Sequence, residues 1–240
     1  MSPSPLIAAL RAAFTAHADA RNAVPMQAYM KSALPFYGIP APLRRKLTVE
    51  AVKAHPCRTA TELAATMLAL FREARYREER YAAVELPRLA AAHRKLVDVS
   101  LLPVAEALIR ESAWWDLVDD LSAQLLQQLL LRHPNDVKPA LRRWAKGDNL
   151  WLRRAAMLCQ RGLKAEAFDP VLLYDTILPS IGTGRFASEF FIRKGIGWAL
   201  RERSYAAAEE VQTFCREYAA QLAPLTVREA LRVIYKRSKA

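Results

Sequence analysis

The sequence lacks the features of several protein classes. Its three cysteines, Cys57, Cys159 and Cys215, form no CxxC pair, and its four histidines form no HxxxH pair, so no zinc-site template is present. No apolar run approaches the roughly 18 residues of a membrane span, and the N-terminus lacks the basic segment of a signal peptide. We therefore expect a soluble, cytoplasmic protein of a reducing compartment that uses no metal or other cofactor and binds no membrane.

Glycine and proline are also scarce, at 7 and 14 of 240 residues, which leaves few residues for tight β-turns. Apolar side chains instead recur at spacings of three and four, the period of a helix that buries one face. The 52% apolar fraction excludes a disordered chain. The sequence predicts an all-α protein of roughly a dozen helices, among them 77–93, 113–132 and 187–202.

Basic residues exceed acidic ones by 36 to 24, a formal net charge of +12. Lysine and arginine that neutralise phosphates release counterions, so this excess favours a polyanionic partner such as nucleic acid. A basic surface that serves only solubility is the alternative.

A basic residue recurs at a nearly constant interval in alternate predicted helices. Successive members are separated by 34 to 40 residues, or by twice that interval, which suggests a solenoid of helix pairs resembling the shorter HEAT-like units. Equivalent residues of such an array form a stripe that can follow a nucleic-acid backbone without reading its sequence. A solvated charged face is the alternative. The members are Arg45, Arg80, Arg154, Lys194 and Arg228.

The histidines follow a similar interval. They recur every 38 to 40 residues near predicted helix ends, where the helix dipole favours a cation. We interpret all four as structural: His17, His55, His93 and His133.

One repeat has an acid where the others have a base. This acid, Asp119, lies 35 residues before Arg154. On the predicted helix it shares a polar face with Trp115 and Ser122, whereas Trp114 falls on the apolar face. A large aromatic residue beside a carboxylate on a polar face is not explained by packing alone.

Trp198 repeats this arrangement on another predicted helix. It lies four residues after Lys194 and four before Glu202, so its indole belongs to a charged face. Such a residue either contacts a neighbouring helix or offers an aromatic surface to a sugar or base.

Four segments together resemble a known family: PMQAYMK (25–31), WWDLVD (114–119), DNLWLRRAA (148–156) and FFIRKGIGWALRE (190–202). In order and at compatible spacing, they are similar to the AlkD-like DNA glycosylases of the DNA alkylation repair family. The resemblance covers nearly the whole chain. It implies one HEAT-like repeat domain over 1–240, a C-shaped solenoid with a basic concave cleft, and excision of cationic N3- or N7-alkylated purines, such as 3-methyladenine and 7-methylguanine, from duplex DNA.

The resemblance also implies roles for individual residues. Asp119 becomes the catalytic carboxylate, with Trp115 and Trp198 as its aromatic companions. Arg154 corresponds to a phosphate-contacting arginine and Tyr29 to a cleft tyrosine. This chain departs from the family by a longer linker, 180–188. The predicted DNA-binding set comprises Arg154, Lys194, Tyr29, Arg45 and Arg80.

A cationic base leaves as a neutral molecule, so one carboxylate suffices to stabilise the oxocarbenium-like sugar and to position water. We therefore expect a monofunctional glycosylase that acts as a monomer on duplex DNA. A non-catalytic HEAT-like DNA-binding module is the leading alternative, and a scaffold for an acidic protein partner is the second. Asp119 discriminates between these, because a lone acid among bases repels phosphate and has no use in a binder.

Overall fold

The computed structural model describes residues 4–237, and every regular element in that range is a helix. The all-α prediction is confirmed. Two compact units divide the chain, Met1–Leu108 and Ile109–Ala240. Among the helices of residues 4–237, none has both the length and the apolar character that a membrane span needs.

Alternate helices of the first unit pack on one another, α1 on α3 and α3 on α5. Arg45 lies in α3 and Arg80 in α5, so the basic positions of the sequence repeat fall on stacked helices. The helices are α1 (Pro5–Ala16), α2 (Ala20–Met30), α3 (Ala41–Ala54), α4 (Ala60–Arg72), α5 (Arg77–Leu89) and α6 (Ala91–Lys95), followed by a 3₁₀ turn, Val99–Leu101, and by α7 (Leu102–Ser112), in which the boundary of the units falls.

The second unit repeats this pattern, with α8 on α11, α11 on α13 and α13 on α15. Asp119, Arg154, Lys194 and Arg228 lie one on each of these helices, in that order. The fold is thus a helical repeat. Its helices are α8 (Trp115–Leu121), α9 (Gln127–Arg132), α10 (Pro134–Lys146), α11 (Leu150–Leu158), α12 (Pro170–Ile177), α13 (Phe190–Ser204), α14 (Ala208–Glu217) and α15 (Pro224–Arg237).

The three predicted helices given above all differ from the observed ones. The segment 77–93 breaks where Ala90 is extended, shortly after Pro87 removes a backbone donor from the last turn of α5. The segment 113–132 starts late, because Ala113 is left-handed (φ 42°) and the extended residue after it caps α8. A π-helical turn, Ser122–Leu126, then separates α8 from α9. The segment 187–202 begins as a helix only at Phe190.

All four histidines lie at or near helix ends, as the sequence predicts, but the role of a cation on a helix dipole does not hold for His93. His17, His55 and His133 are the C-terminal caps of α1, α3 and α9. His93 differs, because it is fully buried within α6. Its Nε2 accepts the backbone N–H of Cys57 at 3.0 Å, so its Nδ1 carries the proton that is donated to the Leu86 carbonyl at 3.2 Å. The imidazole is a neutral core group and not a cation on a helix dipole.

His93 predicts how stability depends on pH. Burial lowers the pKa of His93 below its ordinary value of 6.5, so the unfolded chain binds a proton that the folded protein does not. The stabilisation is therefore complete above about pH 6.5 and is lost as the pH falls below it, at up to about 1.4 kcal/mol per pH unit. Denaturant unfolding between pH 7.5 and 5 should show a shallower decline for His93→Gln than for the wild type or the exposed control His55→Gln. Parallel declines in all three proteins would contradict this assignment.

Candidate active site

Asp119 and Arg154 form a buried ion pair between α8 and α11. Arg154 donates from Nε to Oδ1 and from Nη2 to Oδ2 of Asp119, both at 2.8 Å. Only 7% of Asp119 and 1% of Arg154 is exposed. A bidentate pair of this kind fixes the plane of the carboxylate.

Local sequence explains why Arg154 reaches this position. Asn149 caps α11, because its Oδ1 accepts the backbone N–H groups of Trp151 and Leu152 at 3.0 and 2.9 Å. On the opposing helix α13, a Cβ at Gly195 would lie 3.2 Å from Nη1 of Arg154. The glycine therefore leaves room for the guanidinium, whose Nη1 donates to the Phe191 carbonyl.

Four cations surround the indole of Trp198 in α13. Their charged groups lie 5.6 to 5.8 Å from the ring centroid, within the range of cation–π attraction. The prediction that Trp198 belongs to a charged face is confirmed by these contacts. The four are Arg154, Arg161, Lys194 and Arg201.

Two of these cations share one acid of α15. Glu229 accepts from Nζ of Lys194 at 2.8 Å and from Nη1 of Arg201 at 2.9 Å. The hydrogen bond from Lys194 is the main reason why the pKa of Glu229 is lowered, against the opposing effect of burial. Arg161 has only a longer contact, 4.0 Å from its Nη1 to Oδ2 of Asp119.

An aromatic cluster lies beside the ion pair. Phe191 packs against Trp114 and Trp151, with centroids 5.6 and 5.1 Å apart, and the Arg154 guanidinium lies 6.0 Å from its ring. Trp115 is half-buried and stands one turn before Asp119 on α8. Trp114 is half-buried too and caps α8, so the expectation that it lies on the apolar face of this helix is wrong, because the helix starts after it.

The long linker 180–188 is tied to α11 by Arg153. This buried guanidinium donates to the carbonyls of Pro179 and Arg185 and to the hydroxyl of Ser180, at 2.9 to 3.3 Å. Desolvation lowers the pKa of Arg153. The linker is therefore held at its start and its middle, close to the N-terminus of the helix that contains Trp198.

The remaining predicted DNA-binding residues lie in the first unit. Arg45 donates from Nε to Glu85 at 2.7 Å, with 42% of its side chain exposed. The Arg80 guanidinium lies 4.7 Å above the Phe71 ring. Tyr29, on α2, is 77% exposed.

Comparisons with known proteins identify the family of the chain. The family model described as "DNA alkylation repair enzyme" matches residues 10–234. The chain belongs to this family. A solved structure, a "Predicted DNA alkylation repair enzyme from Enterococcus faecalis", is 29% identical, with a TM-score of 0.74 over 89% of this chain and 95% of that one. No curated protein matches the chain. The resemblance inferred from the four sequence segments is confirmed, and with it a role in DNA repair.

In this DNA alkylation repair protein, Asp119 of α8 is more buried than the sequence predicts. Asp119 and Ser122 were placed on a polar face, but both are buried, because that face packs against α11. Arg154 was placed on an exposed stripe, and it is instead an interior partner of Asp119. Its contact with DNA phosphate, which the resemblance implies, stays a prediction and would require Arg154 to move away from Asp119.

Sequence reasoning missed three charged residues of this family member's site, Arg161, Arg201 and Glu229. Arg161 follows Arg154 by seven residues, two helical turns, and that spacing places both on one side of α11 and the turn after it. Glu229 was overlooked in favour of Arg228, which is exposed. The glycine pair at 195 and 197, inside a helix, was the available signal for a close approach, since a Cβ at Gly197 would lie 2.6 Å from Cβ of Glu229.

Proposed function

We propose that the protein is a monofunctional DNA glycosylase that hydrolyses the N-glycosidic bond of purines carrying a positive charge from alkylation at N3 or N7. One observation supports this most directly: a carboxylate, Asp119, is held in a fixed plane by Arg154, and the same guanidinium lies 5.6 Å from the ring centroid of an indole, Trp198. We further propose that residues 1–240 work as one HEAT-like repeat domain on duplex DNA, as a monomer in the cytoplasm or nucleoid, without a cofactor.

The leaving base needs no general acid, because an N3- or N7-alkylated purine carries a positive charge and departs as a neutral molecule. The positive charge passes to the deoxyribose as the bond lengthens. Asp119 stabilises that oxocarbenium-like sugar electrostatically and positions the attacking water. Arg154 uses one lone-pair direction on each carboxylate oxygen, which leaves a second direction on each oxygen for water.

Trp115 and Trp198 contact the sugar in this proposal. An indole face carries a negative quadrupole, which favours the developing cation by about 0.5 to 2 kcal/mol per ring. The charged groups of four cations already lie within cation–π range of the Trp198 ring, which supports placing positive charge against it.

Trp198 variants test the role of the ring. We expect Trp198→Leu to slow single-turnover release of the alkylated base by about 2- to 30-fold, the equivalent of 0.5 to 2 kcal/mol. Trp198→Phe, which keeps an aromatic face, should retain a larger part of the rate. Equal rates for the leucine and phenylalanine variants would mean that the quadrupole of the ring does not contribute to catalysis.

The remaining assignments concern the DNA backbone. Lys194 and Arg45 are partly exposed and paired with acids, so a phosphate would compete with Glu229 and Glu85 for them. Arg80 and the exposed Tyr29 complete the proposed contacts in the first unit. These contacts position the duplex and carry no sequence information.

The decisive experiment is the release of free 7-methylguanine and 3-methyladenine from methylated duplex DNA, by chromatography with mass detection, against the background of spontaneous depurination. Release above background supports the glycosylase. Salt-sensitive duplex binding without release would favour the non-catalytic DNA-binding module.

A further inference from the structure

Arg161 is the least paired of the cations around Trp198. Its side chain is 32% exposed, and its guanidinium makes no hydrogen bond to any other residue in the described range 4–237; its nearest acid is Oδ2 of Asp119, at 4.0 Å. By contrast, Lys194 and Arg201 are hydrogen-bonded to Glu229. Arg161 is therefore the cation next to Asp119 with donors available to a ligand.

Arg154 is unsuited to that task as the structure has it. Its Nε and Nη2 are bonded to Asp119, its Nη1 is bonded to the Phe191 carbonyl, and 2% of the side chain is exposed. One N–H group on each of Nη1 and Nη2 is not used in these bonds, but a guanidinium this deeply buried would have to move away from Asp119 to reach a phosphate outside, and an unpaired buried carboxylate is strongly unfavourable. The phosphate nearest to Asp119 thus needs another partner.

The backbone around Arg161 is anchored on two sides. Gln127 donates from Nε2 to the Arg161 carbonyl at 2.8 Å and to the Cys159 carbonyl at 3.3 Å. The next residue, Gly162, turns the chain with φ +81°, and its N–H donates to Glu202 at 3.2 Å. A fixed backbone with a partly exposed guanidinium that makes no short contact with an acid is suited to exchanging one anionic partner for another.

We propose that Arg161 binds the DNA phosphate beside the scissile nucleotide and leaves Oδ2 of Asp119 when it does so. This proposal rests on the proposed function, since it takes Asp119 as the catalytic carboxylate. In the free protein the two arginines together screen the carboxylate. When Arg161 moves to a phosphate, only Arg154 still screens the carboxylate. The negative charge of Asp119 then stabilises the developing sugar cation more strongly. Phosphate binding and exposure of the carboxylate thereby become one event.

The test is the affinity for an undamaged duplex at several salt concentrations. Each phosphate contact contributes a slope of about −0.9 in log K against log salt concentration. We expect Arg161→Ala to make the slope shallower by about one contact and to weaken binding roughly tenfold or more. Arg161→Lys should recover most of the slope, because lysine also binds phosphate. The control Arg216→Ala removes an exposed arginine of α14 whose side chain, within residues 4–237, donates only to Thr213 on the same helix, and it should keep the wild-type slope.

A second measurement tests the exchange itself. Asp119→Asn removes the anion that competes with phosphate, so it should tighten duplex binding, and the gain should shrink in the Arg161→Ala background. Wild-type affinity and slope in Arg161→Ala, or an undiminished gain in the double variant, would overturn the proposal. If the wild type releases the base but Arg161→Ala does not change DNA binding, the proposed glycosylase activity holds and the proposed phosphate contact of Arg161 is rejected. If Arg161→Ala makes the salt slope shallower but the wild type releases no base, the phosphate contact of Arg161 holds and the proposed glycosylase activity is rejected.

Discussion

Replacing Asp119 with asparagine is expected to reduce base release by a factor of about 100 to 1,000, the usual effect of removing one preorganised electrostatic group from an active site. The amide has nearly the same shape as the carboxylate but no charge, so it stabilises the oxocarbenium-like sugar much less. Its oxygen still accepts one hydrogen bond from Arg154, which preserves the local packing. The measurement is single-turnover release of 7-methylguanine and 3-methyladenine from methylated duplex under saturating protein.

The matched control is Asp175→Asn. Asp175, on α12, accepts from Nε of Arg142 at 2.7 Å, so this variant removes another aspartate–arginine pair of the same unit. Its release rate should equal that of the wild type. If Asp119→Asn also kept the wild-type rate, the carboxylate would have no part in the chemistry, and the ion pair with Arg154 would be a structural feature of the repeat.

The helical repeat could be predicted from the sequence because it depends on local signals. Apolar spacings of three and four, few glycines and a basic residue every 34 to 40 positions predicted helices that stack at equivalent positions. Asp119 and Arg154 indeed lie on stacked helices. Exact helix ends were less accessible, because the break before α8 depends on one left-handed residue, Ala113, for which the sequence has no signal.

The sequence did not predict which charged residues are buried, because their burial depends on partners that are distant in the chain. Hydropathy assigns a face with charged residues to solvent, but a stacked array lets an acid of one helix meet a base of the next. Within the described residues, three of these pairs are separated by 35 to 40 residues, about one repeat. The pairs are Arg45–Glu85 at 40 residues, Asp119–Arg154 at 35 and Lys194–Glu229 at 35. Opposite charges separated by one repeat were therefore the signal in the sequence that could have predicted these pairs.

Replacing Arg154 with methionine should destabilise the protein by about 3 to 5 kcal/mol, because the Asp119 carboxylate is then buried without its partner. For a chain of this size, that loss corresponds to a decrease in the unfolding midpoint of roughly 6 to 20 °C. Arg161→Ala should lower the midpoint by much less, because its contact with Asp119 is long and partly exposed. Thermal unfolding followed by circular dichroism measures both.

The double variant Asp119→Leu/Arg154→Met separates the pair from the packing around it. A buried ion pair replaced on both sides by apolar groups is often neutral or stabilising, so the double variant should recover most of the stability that Arg154→Met loses, while base release stays abolished. That combination would show that the pair is maintained for chemistry at a site where apolar residues fold equally well. A double variant as unstable as Arg154→Met would instead mean that the guanidinium, through its bond to the Phe191 carbonyl and its contact with Trp198, stabilises the α11–α13 packing by itself.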